Sequence, residues 1–118
     1  MLNQARDRGS TDLDRVFQAL ADPGRRQMVE RLTLGPASVS ELARPLAMSL
    51  AAVLQHVQVL EASGLVRSQK TGRTRTCQID PAALRSAEGW LTQRRTRLAD
   101  YLGRRGADTE QHQAPRPE

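Results

Sequence analysis

One stretch of the sequence, from residue 38 to residue 80, constrains the fold more than any other, because it holds the boundary signals of two helices and a hairpin. Ser38 and Glu41 match a capping box, in which a hydroxyl caps a helix and a carboxylate three residues later bonds back. Pro45 lies inside the helix that follows and ends or bends it, since proline has no N–H and a fixed φ. The pattern predicts a short first helix.

A second, longer helix is predicted from Leu50 to Ser63. Ser49 supplies its N-cap, and Gly64 closes it, because the residue just past a helix end often needs a positive φ. One face of this helix carries apolar residues at helical spacing and is predicted to be core. These residues are Val53, Val57 and Leu60.

Two short strands follow the second helix, Leu65–Ser68 and Thr74–Ile79, joined by a tip at residues 70–73 (KTGR). Helix, turn, helix and hairpin in this order make a winged helix-turn-helix, with Leu50–Ser63 as the recognition helix and the hairpin as the wing. The predicted fold is therefore mainly α with a small β-hairpin (α+β). Its expected order is four helices, the two strands and a fifth helix.

The flanking segments set the expected domain boundaries. Residues 1–12 are polar without periodicity and are predicted to be a flexible N-terminal extension, with Asp12 capping the first helix. Asp22 before a proline, and Asp80 before another, each mark a helix start. The last helix is expected to run to about Leu102, so that residues 13–102 form one winged-helix domain. Residues 103–118 are predicted to be a disordered tail of low hydrophobicity.

Three motifs resemble those of one protein family. Residues 19–26 (ALADPGRR) are similar to the family's ALADPTRR, and residues 39–43 read VSELA as the family does. Residues 55–66 (QHVQVLEASGLV) resemble QHLKVLEEAGLV. In this order, over roughly residues 13–102, they resemble the ArsR family of bacterial transcriptional repressors. The resemblance implies a DNA-binding homodimer that leaves its operator on a signal.

The last predicted helix carries apolar residues in a heptad-like register, and no later element exists to cover them. It would span about 33 Å, so packing against the same helix of a second copy is the simple solution; folding back on its own core is the alternative. In the first helix an apolar stripe fits ordinary core, and the resemblance implies that this helix packs at the dimer interface. The residues assigned to the dimer interface are Leu13, Val16, Phe17, Leu20, Leu84, Trp90, Leu91, Leu98, Tyr101 and Leu102.

The formal net charge of +5 and the sequence pI of about 10.9 indicate a nucleic-acid or other anionic partner, or simply favour solubility. Placement favours nucleic acid, because residues 62–79 contain four basic residues and no acid. No apolar run approaches the ~18 residues of a membrane span, and the N-terminus has no apolar signal region. We expect a cytoplasmic protein that does not bind membranes.

A recognition helix meets base edges through its exposed side chains. The candidates here are Ser49, Ala51, Gln55 and Gln58, and the resemblance adds His56. Because the helix carries no Lys or Arg, phosphate affinity is expected from the wing residues Lys70, Arg73 and Arg75.

Three further residues near this surface are left with two interpretations each. The family often has a polar residue where Leu54 stands; leucine there is either buried or in contact with a thymine methyl. Arg25 and Arg26 contact phosphate or pair within the chain, and the second interpretation is favoured.

Metal binding is not expected, although many relatives bind metal through cysteines of the motif ELCVCDL. The corresponding residues 41–47 read ELARPLA, with Ala43 and Pro45 at the positions of the two thiols. Residues 82–102, in the last predicted helix, contain no histidine that could serve as a metal ligand there. No cofactor is therefore predicted. Cys77, the single cysteine, is either a redox sensor, with Arg75 two residues away on the same strand face, or a small buried apolar residue, and burial is favoured.

These observations predict a sequence-specific transcriptional repressor that binds double-stranded DNA. It is expected to act as a homodimer on an inverted repeat with half-sites about one helical turn apart, and to be released by an unknown signal or effector. An enzyme is not expected, because the sequence has no Ser/His/Asp motif, no phosphate-binding glycine loop and no metal cluster. The alternative is a winged-helix module for protein–protein contacts without DNA binding, although such a module would not need a basic wing.

Overall fold

A computed structural model describes the backbone of residues 4–112 and the side chains of residues 12–106. Within these residues it has the winged helix-turn-helix order that the sequence predicts, with one further strand. The elements are α1 (Gln4–Leu20), α2 (Pro23–Leu32), β1 (Ala37–Ser38), α3 (Val39–Ala43), α4 (Leu50–Ala62), β2 (Val66–Thr71), β3 (Thr74–Ile79) and α5 (Pro81–His112). A short 3₁₀ turn, Arg44–Leu46, follows α3 and contains the proline expected to end that helix.

The predicted starts of α2, α3, α4 and α5 are confirmed by hydrogen bonds at their caps. Asp22 caps α2 by accepting a backbone N–H three residues later at 2.9 Å. Ser38 and Glu41 form the capping box of α3 through bonds of 3.1 and 2.8 Å. Ser49 caps α4 at 3.1 Å, and Asp80 precedes the first residue of α5.

The predicted start of the first helix and the predicted end of the last helix are wrong. α1 begins at Gln4, so Asp12 lies inside the helix instead of capping it, and α5 continues past Leu102 to His112. Lengthening an existing helix needs no new nucleus, so residues without apolar periodicity can still join it. Parts of the expected flexible extension and tail are thus helical, while residues 1–3 and 113–118 lie outside the described residues. The division into 1–12, 13–102 and 103–118 stays a prediction.

The sheet is antiparallel, in the order β1-β3-β2. The wing, formed by β2 and β3, is longer than predicted because Thr71 pairs with Thr74, which leaves a tip of Gly72 and Arg73. Gly72 has φ +63°, and glycine at the first position of a two-residue turn suits a tight hairpin. β1 was not predicted; it pairs with β3 through Ser38 and the residue before it.

The core is aliphatic and belongs to the compact unit formed by residues 1–87. It joins α1, α2, α3, α4, the sheet and the start of α5. Its largest fully buried side chains are Met28, Leu42, Val53, Val57, Leu60, Leu65, Val66 and Cys77. The burial that was favoured for Cys77 is confirmed.

The second unit starts at Glu88, and its described part is the rest of α5. Arg94, which interrupts its heptad-like register, stacks over the ring of Trp90, with 4.3 Å from Cζ to the ring centroid. The large apolar side chains of this unit are exposed: Trp90, Leu91, Leu98, Tyr101 and Leu102. No described helix is both long and apolar enough to cross a membrane.

Candidate nucleic-acid interface

The exposed face of α4 contains the residues predicted to read bases. Ala51, Gln55 and Gln58 are exposed and follow one another at i, i+4 and i+7, which puts them on one side of the helix. Ser49 is exposed at the start of α4, where its Oγ accepts the cap bond. The geometry therefore places Ala51, Gln55 and Gln58 on one side of α4 and Ser49 at its start, and their contact with bases stays a prediction.

Two leucines share this surface. Leu50 is 51% exposed and Leu54 is 37% exposed, which decides against burial of Leu54 within its own subunit. Their spacing of four residues places them on neighbouring turns of one helix face. The described face of the recognition helix is thus a mixture of amide and apolar groups without a basic side chain.

The wing supplies the positive charge near α4. Lys70 and Arg73 are exposed, whereas Arg75 is half-buried and its Nη1 donates to Ser68 Oγ at 2.8 Å. Ser68 Oγ in turn donates to the carboxylate of Glu61, near the end of α4. This chain of bonds joins the recognition helix to both wing strands and holds Glu61 against the sheet.

A groove of about 590 Å³ separates the helices from the wing. Ser40, Leu50 and Leu54 lie on its helix side. Lys70, Arg73 and Arg75, the predicted phosphate contacts, lie on its wing side. The two exposed leucines of α4 and the basic side chains of the wing therefore face the same groove.

The predicted base contacts of α4 are not among the residues that line this groove, and His56 also lies apart from the exposed face of α4. Its side chain is 17% exposed, and its Nε2 lies 3.9 Å from the carboxylate of Asp22. Its Nδ1 lies 3.2 Å from Nη1 of Arg25; arginine only donates, so Nδ1 is the acceptor. These contacts suit a residue that positions α4 against α2, and the predicted DNA contact stays untested.

Arg25 and Arg26 bind backbone carbonyls at the end of α1. Arg25 donates from Nε to Ala19 O at 2.8 Å and from Nη2 to Gln18 O at 3.2 Å. Arg26 donates from Nη1 to Leu20 O at 2.8 Å. The favoured intramolecular interpretation is confirmed, but the acceptors are carbonyls. The available signal was the position of both arginines just after a helix end, where basic side chains often bond the last carbonyls.

Three pKa shifts accompany these contacts. The backbone N–H of Arg25 lowers the pKa of Asp22, and the backbone N–H of Ser38 lowers that of Glu41. Burial raises the pKa of the Cys77 thiol, and the nearby Glu61 adds to that rise. Among the residues whose side chains are described, no three His, Cys, Asp or Glu residues are grouped so as to hold a metal ion.

The residues assigned to a dimer interface fall into three groups by exposure. Val16 is buried within its own subunit. The half-buried members are Leu13, Phe17, Leu20 and Leu84, and the exposed members are Trp90, Leu91, Leu98, Tyr101 and Leu102. The exposed members all lie in the second unit.

The fold and this surface define a winged helix-turn-helix protein, and comparisons with known proteins agree. A family model described as a helix-turn-helix domain matches residues 20–69. The HTH-type transcriptional regulator Rv2034 of Mycobacterium tuberculosis is 45% identical over 100 residues, which cover 81% of this chain and 94% of that protein.

Solved structures give the same result. The crystal structure of an ArsR family transcriptional regulator has 43% identity and a TM-score of 0.73, covering 76% of this chain and 93% of its own. A homodimeric winged helix-turn-helix DNA-binding domain from Mycobacterium bovis has a TM-score of 0.62 over 98% of this chain and 97% of its own; at 21% identity it supports the fold alone. The chain belongs to the ArsR family of transcriptional regulators.

Proposed function

We propose that two copies of this chain form a homodimer that binds double-stranded DNA at an inverted repeat and represses transcription until a signal releases it. The observation that carries the proposal is the groove in which Leu50 and Leu54 of α4 face the basic side chains of the wing. Specific contacts come from α4, and sequence-independent attraction to phosphates comes from the wing. Such a protein acts where the DNA is, in the cytoplasm, and needs neither catalysis, a cofactor nor a membrane.

Dimer formation is supported by the exposed apolar side chains of residues 90–102. A patch of this kind is rare on a monomer unless it is an interaction site. A two-fold dimer of this chain would present two recognition helices to two half-sites.

The proposal is tested by selecting bound sequences from a random pool of duplex DNA and then comparing two variants. Gln55→Ala should weaken binding to the selected site by about 1–3 kcal/mol and leave scrambled DNA unaffected. Arg73→Ala should weaken binding to both and reduce the salt dependence. Arg85→Ala, which removes an exposed arginine outside the groove, is the charge control. Equal losses on both DNAs for both variants would contradict the division of roles.

A winged-helix module for protein contacts is the second candidate, since the exposed Leu50 and Leu54 would also suit an apolar protein partner. Absence of DNA binding at low salt would favour it. A steep fall of DNA affinity with rising salt would favour the regulator.

A further inference from the structure

The two leucines at the start of the recognition helix lie on the groove that faces the basic wing. Leu50 and Leu54 are large, exposed and one turn apart, and Ala51 between them is exposed as well. In a recognition helix, residues of the first turns are those that reach base edges. If DNA enters this groove, these side chains meet base edges and not solvent.

Leucine restricts what such a base edge can be. Its side chain neither donates nor accepts a hydrogen bond, so a polar group of a base pressed against it would lose a water partner and gain nothing. In the major groove the four bases present donors and acceptors, and only thymine adds an apolar group, its 5-methyl. The chemistry of the two side chains therefore selects one base.

We propose that Leu50 and Leu54 read thymine methyl groups, so that each half-site carries thymines opposite these residues. This inference rests on the proposed DNA-binding function and names the bases that the function requires. Gln55, next to Leu54, reads a neighbouring base through its amide, which pairs well with adenine. Lys70 and Arg73 on the wing side of the groove hold the phosphates that fix this register.

Deoxyuridine provides a direct test, because it keeps every hydrogen-bonding group of thymine and lacks only the methyl. In the selected operator each thymine is replaced in turn, and affinity is measured by fluorescence anisotropy at constant salt. At the thymines facing the leucines, affinity should fall about fourfold per methyl, equivalent to about 0.8 kcal/mol for one buried apolar carbon. Replacements elsewhere in the site should leave affinity unchanged.

Leucine variants assign the effect to the side chains through a double-mutant cycle. Leu54→Ala should lower affinity for the thymine site and remove the deoxyuridine effect at one position per half-site; Leu50→Ala should do so at another. Val59→Ala is the matched control, since Val59 is a 39% exposed apolar residue of α4 that does not line the groove. It should keep both deoxyuridine effects.

Two outcomes overturn the inference in different ways. If the operator is bound specifically, and Gln55→Ala reduces that binding, but no deoxyuridine replacement matters, the leucines do not read methyl groups and the proposed function stands. If no sequence is preferred from the pool, the proposed function fails together with the inference. The deoxyuridine scan uses the unaltered protein, so it decides the question even if a leucine variant does not fold.

Discussion

Arg25 is expected to be the most sensitive charged residue of the domain, because one guanidinium joins three helices. It donates to Ala19 O at 2.8 Å and Gln18 O at 3.2 Å in α1, lies in α2 and contacts His56 of α4 at 3.2 Å. A bond from a charged donor to a carbonyl contributes about 1.5–3 kcal/mol, and the two longer bonds add about 0.5 kcal/mol each. Arg25→Met, which keeps the aliphatic stem, should therefore lower the free energy of unfolding by about 2.5–4 kcal/mol.

Arg26→Met is the matched control for this prediction. Arg26 also donates to a backbone carbonyl at 2.8 Å, but this is a single bond and it lies at an exposed position. Its loss should therefore lower the free energy of unfolding by only about 0.5 kcal/mol. Urea unfolding followed by circular dichroism, at one fixed protein concentration because a dimer's stability depends on it, gives both values. Losses equal within about 0.5 kcal/mol would refute the reasoning that the three-helix contact, and not the charge, stabilises the domain.

Four other substitutions have defined outcomes. Ser38→Ala should lower the free energy of unfolding by about 1 kcal/mol in urea, because α3 loses its N-cap. Because its pKa is lowered in the fold, Glu41 stabilises the protein at pH values above the usual pKa of glutamate, and this stabilisation is lost as the pH falls through the lowered pKa. Glu41→Gln should therefore make the free energy of unfolding, measured in urea at successive pH values, fall less steeply towards acid pH. Gly64→Ala should cost about 1–2 kcal/mol, since Gly64 has φ +85°. A thiol reagent should modify Cys77 slowly in the native protein and quickly in urea, because burial raises its pKa; equal rates would contradict its burial, and Cys77→Ser should abolish both.

Sequence alone located the starts of four of the five α-helices. Asp22, Ser38, Ser49 and Asp80 each bond to a backbone group within three residues, so the signal and the structure it specifies are in the same short segment. The order of elements followed from these signals. The start of α1 at Gln4 and the end of α5 at His112 were not predicted, because neither a capping residue nor a periodic pattern of apolar residues marks them.

Contacts between residues far apart in the sequence could not be predicted from local signals of this kind. The contact of Arg25 with His56 joins residues 31 positions apart, and neither residue is marked locally as a partner of the other. Leu54 had two open interpretations, because helical spacing alone did not decide whether it faces the core or the groove. The bond from half-buried Arg75 to Ser68 likewise depends on which residues of the two wing strands pair. The sequence did not determine that register, because it did not determine how many residues form the tip of the hairpin.

The shortest strand limits how the wing can be exchanged. Ser38 ends β1, where it pairs with Thr76, and it also caps α3, so one residue belongs to both the sheet and the helix-turn-helix. A chimera that takes its wing from a relative must therefore keep Thr76 and Cys77, because these two residues pair with β1. The turn between Lys70 and Arg75 makes no pair with β1 and can be replaced as one segment. Grafting within those limits would change the charge at the tip of the wing while leaving the pairing of β1 and the cap of α3 intact.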